Sequence, residues 1–155
     1  MFSAMGFSEV KTFRASGNVA FTAEVRPLAE MTLEIEGALM QSLGFAVPTF
    51  LRAAEEMREI ADMQPFEREL VEASGGKLQV SLLARKPSAQ VRRDVLALAD
   101  ERDRLAFGGQ ELYWLPSGGI LETALDLAAL ERTLGQSTRR TKGTIEQMAA
   151  KHFGR

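Results

Sequence analysis

Two short apolar segments flank a Ser16-Gly17-Asn18 turn, and this arrangement constrains the fold more than any other stretch of the chain. Val10–Phe13 precede the turn and Val19–Thr22 follow it, and both are rich in the β-branched and aromatic residues that favour strands. Gly17 and Asn18 are residue types that readily adopt a positive φ. The stretch therefore predicts a β-hairpin, and the later segments must pack on the sheet that it begins.

The residues around this turn resemble the signature of a protein family. The run GF-x-x-V-x-T-F-x-x-SGNV-x-F, from Gly6 to Phe21, is similar to that of the bacterial family called domain of unknown function 1697. The resemblance continues through Leu43-Gly44-Phe45, a strand over Val47–Arg52, Pro65-Phe66, Leu78–Leu83, Leu112–Gly118 and Thr138-Arg139 before a last helix. The family has no agreed activity, so the resemblance implies a fold and no function.

Hydrophobic periodicity in the rest of the chain predicts helices interspersed with short strands. Apolar residues from Leu28 to Leu43 recur at three- and four-residue steps, which is typical of an amphipathic helix. Strands are predicted at Val47–Leu51, Lys77–Ala84, Leu105–Phe107 and Leu112–Leu115. Further helices are predicted at Ala53–Met63, after Ser88, at Asp126–Leu134 and at Thr144–Phe153. A loop is predicted over Gly135–Gly143.

This order predicts an α+β fold, a ferredoxin-like α/β sandwich with two small related halves at residues 1–74 and 75–155, or one merged sheet. The resemblance implies an additional first strand, because members of the family usually begin earlier than this chain does. In a ferredoxin-like sheet that strand is central, and without it backbone donors and acceptors would lack partners. We expect a second copy of the chain, in a homodimer, or residues encoded upstream of Met1 to close the open sheet edge.

The composition excludes several kinds of site. The 155-residue chain has no cysteine and a single histidine, His152, which excludes thiolate and multi-histidine metal centres, disulfides and a cysteine nucleophile. We expect no metal and no cofactor.

The chain shows no signal-peptide pattern and no apolar run that could span a bilayer, which predicts a cytoplasmic protein without membrane contact. The net charge of −2 argues against general nucleic-acid binding, although the last residues are locally basic.

The segment Ser137–Thr144 holds the strongest polar constellation in the sequence. Its cations and hydroxyls directly precede a predicted helix, whose free N–H groups and dipole favour an anion. The candidate binding residues are Thr138, Arg139, Arg140, Lys142 and Thr144, together with Arg14, Ser16 and Asn18 at the hairpin turn and Arg52. The alternative interpretations are a solvated, capped helix start and an ordinary turn.

The sequence leaves two main classes of function open, and the missing first strand leaves a purely structural partner protein as a third alternative. The first is a binding module in which these residues hold a small anionic or phosphate-bearing ligand or a nucleic-acid phosphate. The second is an enzyme of unassigned reaction on a small phosphorylated metabolite, with Arg14, Ser16 and Asn18 positioning the substrate. No catalytic motif decides between them, and the GxxxxGK[ST] spacing of a Walker phosphate loop is absent from the sequence.

Overall fold

The computed structural model describes residues 3–13, 18–100, 102–116 and 125–152. These residues form a two-stranded and a four-stranded antiparallel sheet with helices packed on them, which confirms the predicted α+β class. In chain order the elements are a 3₁₀ turn (Ser3–Met5), β1 (Ser8–Phe13), β2 (Asn18–Thr22), α1 (Leu28–Leu43), α2 (Ala54–Asp62), α3 (Arg68–Ala73), β3 (Gln79–Leu83), α4 (Ala89–Leu96), β4 (Arg104–Phe107), β5 (Glu111–Leu115), α5 (Leu127–Leu134), β6 (Ser137–Thr141) and α6 (Lys142–His152). None of the helices in this described part of the chain has the length and apolar character needed to cross a bilayer.

The predicted hairpin is confirmed. Strands β1 and β2 pair antiparallel, with Lys11 opposite Ala20, and a bulge near Glu9 interrupts the ladder. Helix α1 covers this sheet through a small core whose buried members are Phe7, Met31 and Ile35. Ser16 and Gly17, the first two residues of the predicted turn, lie outside the described residues.

The predicted strand at Val47–Leu51 is wrong, since residues 46–53 form neither strand nor helix. Pro48 has no backbone N–H to donate to a ladder. The N–H of Thr49 donates to Oε2 of Glu36 in α1, at 2.9 Å. The segment is therefore bound to a helix side chain and does not extend the hairpin sheet. Closure of that sheet by a second copy stays a prediction.

The four-stranded sheet has the order β4-β5-β3-β6, and every neighbouring pair is antiparallel. Residues 79–141 follow the order β-α-β-β-α-β, which is the element order of the ferredoxin-like motif. The elements before residue 74 follow the order β-β-α-α-α.

The predicted loop at Gly135–Gly143 is wrong, because residues 137–141 form β6 on the edge of β3. Its polar sequence predicts no strand, and pairing with β3 overrides that local preference.

Both faces of this sheet are covered by helices. Helices α2 and α6 pack on one face, where the buried residues include Val80, Leu82, Tyr113, Ile145 and Met148. Helices α4 and α5 pack on the other, where they include Val95, Leu112, Trp114 and Leu130. Three residues of α2, Met57, Ile60 and Ala61, belong to the first core although they precede residue 74. The division into residues 1–74 and 75–155 stays a prediction.

Candidate functional site

Strand β6 carries three of the predicted site residues and directs successive side chains to opposite faces of the sheet. Thr138 and Arg140 pair with Leu82 and Val80, which belong to the core under α2 and α6. Arg139 pairs with Ser81 and contacts Trp114, on the face covered by α4 and α5. Arg139 and Arg140 therefore lie in different surroundings, although they are adjacent in sequence.

The guanidinium of Arg140 links β6 to the hairpin. Its Nε donates a hydrogen bond to Oδ1 of Asn18 at 2.9 Å, across 122 positions of the chain. Its Nη1 donates to Oγ1 of Thr138 at 2.7 Å and to the carbonyl of Arg139 at 2.9 Å. The structure thus brings together three candidate residues from the two segments that the sequence singled out. Arg14 and Ser16 lie outside the described residues.

The side chain of Arg52 is buried and joins the segment before α2 to the four-stranded sheet. Its Nη2 donates to the carbonyls of Leu83 and Gln110, at 3.0 and 2.9 Å. Its Nε lies 3.3 Å from Oε2 of Glu111, and the Arg52 side chain is 5% exposed. These contacts stabilise the fold and direct the guanidinium away from solvent.

Lys142 is also buried, with 5% of its side chain exposed. Its Nζ donates to the carbonyl of Ala61 at 2.8 Å and lies 3.2 Å from Oε2 of Glu146. The ammonium therefore joins the last turn of α2 to the first turn of α6 and does not face a ligand.

Thr144 takes part in the start of α6. Its N–H donates to Oγ1 of Thr141 at 3.2 Å, and the two hydroxyls lie 2.8 Å apart. Thr141 therefore accepts one of the free N–H groups at the start of this helix, as an N-cap does. The capped helix start, the alternative interpretation from the sequence, describes this end of α6.

Arg139 lines a pocket of about 100 Å³ between α5 and the strands β3 and β6. We call this cavity the Arg139 pocket; its other lining residues are Ser81, Leu127, Leu130, Glu131, Leu134 and Ser137. The Cζ of Arg139 lies 5.2 Å from the centroid of the Trp114 ring. This cation–π contact holds the guanidinium over the sheet without using its N–H donors.

The polar side chains of the Arg139 pocket have no hydrogen-bond or ion-pair partners within the described residues. The side chains of Ser81, Ser137, Glu131 and Arg139 form no hydrogen bond or ion pair with one another or with another described residue. Ser81 is 8% exposed as a residue, and its Oγ remains accessible to solvent in the cavity. The pocket therefore presents several unused donors and acceptors around a single cavity.

Sequence reasoning identified Arg139 but missed Ser81, Ser137 as a lining residue, and Glu131. Ser81 lies between the buried residues Val80 and Leu82 in β3, which indicates only the second face of a strand. The pairing of Ser81 with Arg139 depends on β6, which the sequence does not predict. Within residues 3–13, 18–100, 102–116 and 125–152, no cluster of acidic residues and histidines could hold a metal ion.

The fold and the Arg139 pocket define an α+β protein with a small candidate binding site. The chain belongs to the family described as "Protein of unknown function (DUF1697)", whose sequence model matches residues 1–113. This match confirms the resemblance carried by the hairpin residues, and it ends before β6.

One solved structure with a similar fold is that of a conserved bacterial protein from Streptococcus pneumoniae. The TM-score is 0.72, with 20% sequence identity, over 97% of this chain and 85% of that chain. At this identity the likeness shows the shared fold alone. No curated protein matches the sequence.

Proposed function

We propose that this protein is a cytoplasmic binding module for an anionic or phosphate-bearing ligand, which binds in the Arg139 pocket. One observation carries the proposal: the Arg139 guanidinium lines a cavity and has no hydrogen-bond or ion-pair partner among the described residues. A guanidinium has five N–H donors in a planar fork that matches the oxygens of carboxylate and phosphate groups. An anion in this pocket would supply the missing acceptors.

The surroundings of Arg139 favour an anion in two further ways. Ser137 lies two residues before Arg139 on β6, and Ser81 lies opposite Arg139 on β3, so both hydroxyls line the same cavity. Each hydroxyl can donate to an anion oxygen. Because Trp114 already holds the guanidinium in place, less conformational freedom is lost when a ligand binds.

The size of the pocket restricts the ligand. A volume of about 100 Å³ corresponds to that of roughly three waters in the liquid. Inorganic phosphate, a small carboxylate, or the terminal phosphate of a larger molecule that extends into solvent therefore suits the cavity. The alternative of an enzyme on a phosphorylated metabolite stays a prediction, because the geometry favours no particular reaction.

The fluorescence of Trp114 provides a direct test, since it is the single tryptophan of the chain and contacts Arg139. We expect acetate and inorganic phosphate, titrated at constant ionic strength with chloride, to change the fluorescence in a saturable way. Arg139→Gln should weaken binding by about tenfold or more, because it removes a charge-assisted hydrogen-bonding group.

A matched control separates the pocket from the overall charge. Arg85→Gln makes the same charge change at an exposed residue between β3 and α4, and it should bind both anions like the native protein. The proposal is overturned if native protein and Arg139→Gln respond equally, or if neither anion gives saturable binding.

A further inference from the structure

The Arg139 pocket contains a carboxylate as well as a guanidinium. Glu131 lies in the last turn of α5, and Arg139 lies on β6, so the two charges approach the cavity from different elements. Their charged atoms do not come within the 4.0 Å of an ion pair, and neither side chain forms a hydrogen bond or an ion pair with another described residue. The pocket therefore offers an opposite charge to each end of a ligand that carries both signs.

The end of α5 reinforces the negative side of the pocket. The last turn of a helix presents carbonyl oxygens and carries the negative end of its dipole, which favours a cation. Glu131, an exposed residue, lies in this last turn beside Arg132, and of these two charged residues Glu131 is the one that lines the pocket. An ammonium group would thus be stabilised beside Glu131, whereas a second anionic group would be repelled.

The remaining wall of the pocket is aliphatic. Leu127, Leu130 and Leu134 of α5 line it, and Leu130 is 4% exposed. Such a wall favours a short hydrocarbon group on the ligand, since its burial removes apolar surface from water. The cavity of about 100 Å³ leaves room for only a small group of this kind.

We infer that the ligand of the Arg139 pocket is a small aliphatic amino acid or similar aminocarboxylate, with its carboxylate on Arg139 and the two serines and its ammonium on Glu131. This inference rests on the proposed function, because it requires that Arg139 binds an acid group. It adds the second charge and the aliphatic portion, which the proposed function leaves open.

Three probes of similar size test the inference: L-alanine, propionate, which lacks the ammonium, and ethylamine, which lacks the carboxylate. We expect L-alanine to change Trp114 fluorescence at concentrations about tenfold lower than either analogue, because it engages both charges of the pocket. Titrations at constant ionic strength and neutral pH keep all three probes in their usual charge states.

Two variants test whether Glu131 binds the ammonium of the ligand and Arg139 its carboxylate. Glu131→Gln should remove the advantage of L-alanine over propionate and leave propionate binding equal to or tighter than in native protein. Arg139→Gln should weaken the binding of both by about tenfold or more. Glu69→Gln, which makes the same charge change at an exposed residue of α3, is the control and should bind like native protein. Circular dichroism of each variant checks that the fold is retained.

The outcomes separate this inference from the proposed function. Propionate binding that depends on Arg139, with L-alanine no tighter, overturns the inference and supports the proposed function. An L-alanine preference that survives Glu131→Gln also overturns the inference. Absence of saturable binding by any of the acids, phosphate included, overturns both.

Discussion

The phenol of Tyr113 lies in the core under α2 and α6, and 1% of the residue is exposed. Burial, and to a lesser degree the charge of Glu111, raises the pKa of Tyr113 well above its ordinary value. In the unfolded chain the phenol loses its proton at pH ~10, whereas in the folded protein the phenol stays protonated at that pH. Above that pH the unfolded state binds fewer protons, so the free energy of unfolding falls as the pH rises.

Tyr113→Phe should remove this alkaline loss of stability. We expect the free energy of unfolding of native protein to fall, relative to the variant, by up to about 1.4 kcal/mol for each pH unit above ~10. Urea unfolding from pH 8 to about 11 measures both profiles, and the difference at pH 8 gives the baseline cost of losing the hydroxyl. Because the chain has one tyrosine, parallel profiles would contradict the prediction.

The site was only partly predictable at the scale of single residues. Arg139 and Arg140 form one basic cluster in the sequence, yet the pleat of β6 places them on opposite faces. Arg140 forms hydrogen bonds with Asn18 and Thr138, whereas Arg139 lines a pocket. The contacts of these two arginines cannot be predicted from charge and spacing, because they depend on which strand pairs with β6.

Among the elements, amphipathic helices were predicted well and strands with unusual sequences were not. Helix α1 agrees with its predicted range because apolar spacing is a local property of the sequence. In the segment Val47–Leu51 the predicted β-ladder is replaced by the hydrogen bond between Thr49 and Glu36. Strand β6 reads STRRT, and only the adjacent edge of β3 makes it a strand.

The cap of α6 gives a prediction for one element. Thr141→Ala should lower the free energy of unfolding by about 1 kcal/mol, because the N–H of Thr144 loses its acceptor. The loss should appear in global unfolding, since α6 contributes Ile145 and Met148 to the core. Thr141→Ser keeps the hydroxyl and should retain most of the stability in the same urea titration. Equal stability of the alanine and serine variants would argue against a capping role.

In the whole molecule, the hydrogen bond between Asn18 and Arg140 links the hairpin sheet to the four-stranded sheet. Asn18→Ala removes this link and should make local opening of the hairpin easier. We expect the β1–β2 amides to exchange with solvent hydrogen about tenfold faster, because a hydrogen bond to a charged group is lost.

Amide exchange followed by NMR contains its own control. The β3–β5 amides, which pair within the other sheet, should exchange at the native rate. Unchanged exchange in β1 and β2 would mean that packing against α1, through Met31 and Ile35, is sufficient to hold the hairpin.

The strand order of the larger sheet also bears on how the chain is made. During synthesis from the N-terminus, β3 can pair with β5 once residue 115 has been added, but its other edge has no partner until residue 141 exists. The α2 side chains Met57, Ile60 and Ala61 likewise have no contact with α6 until that helix has been synthesised. An unpaired strand edge is a template for binding other chains. The growing polypeptide is thus most exposed to wrong pairing between these two points of its synthesis.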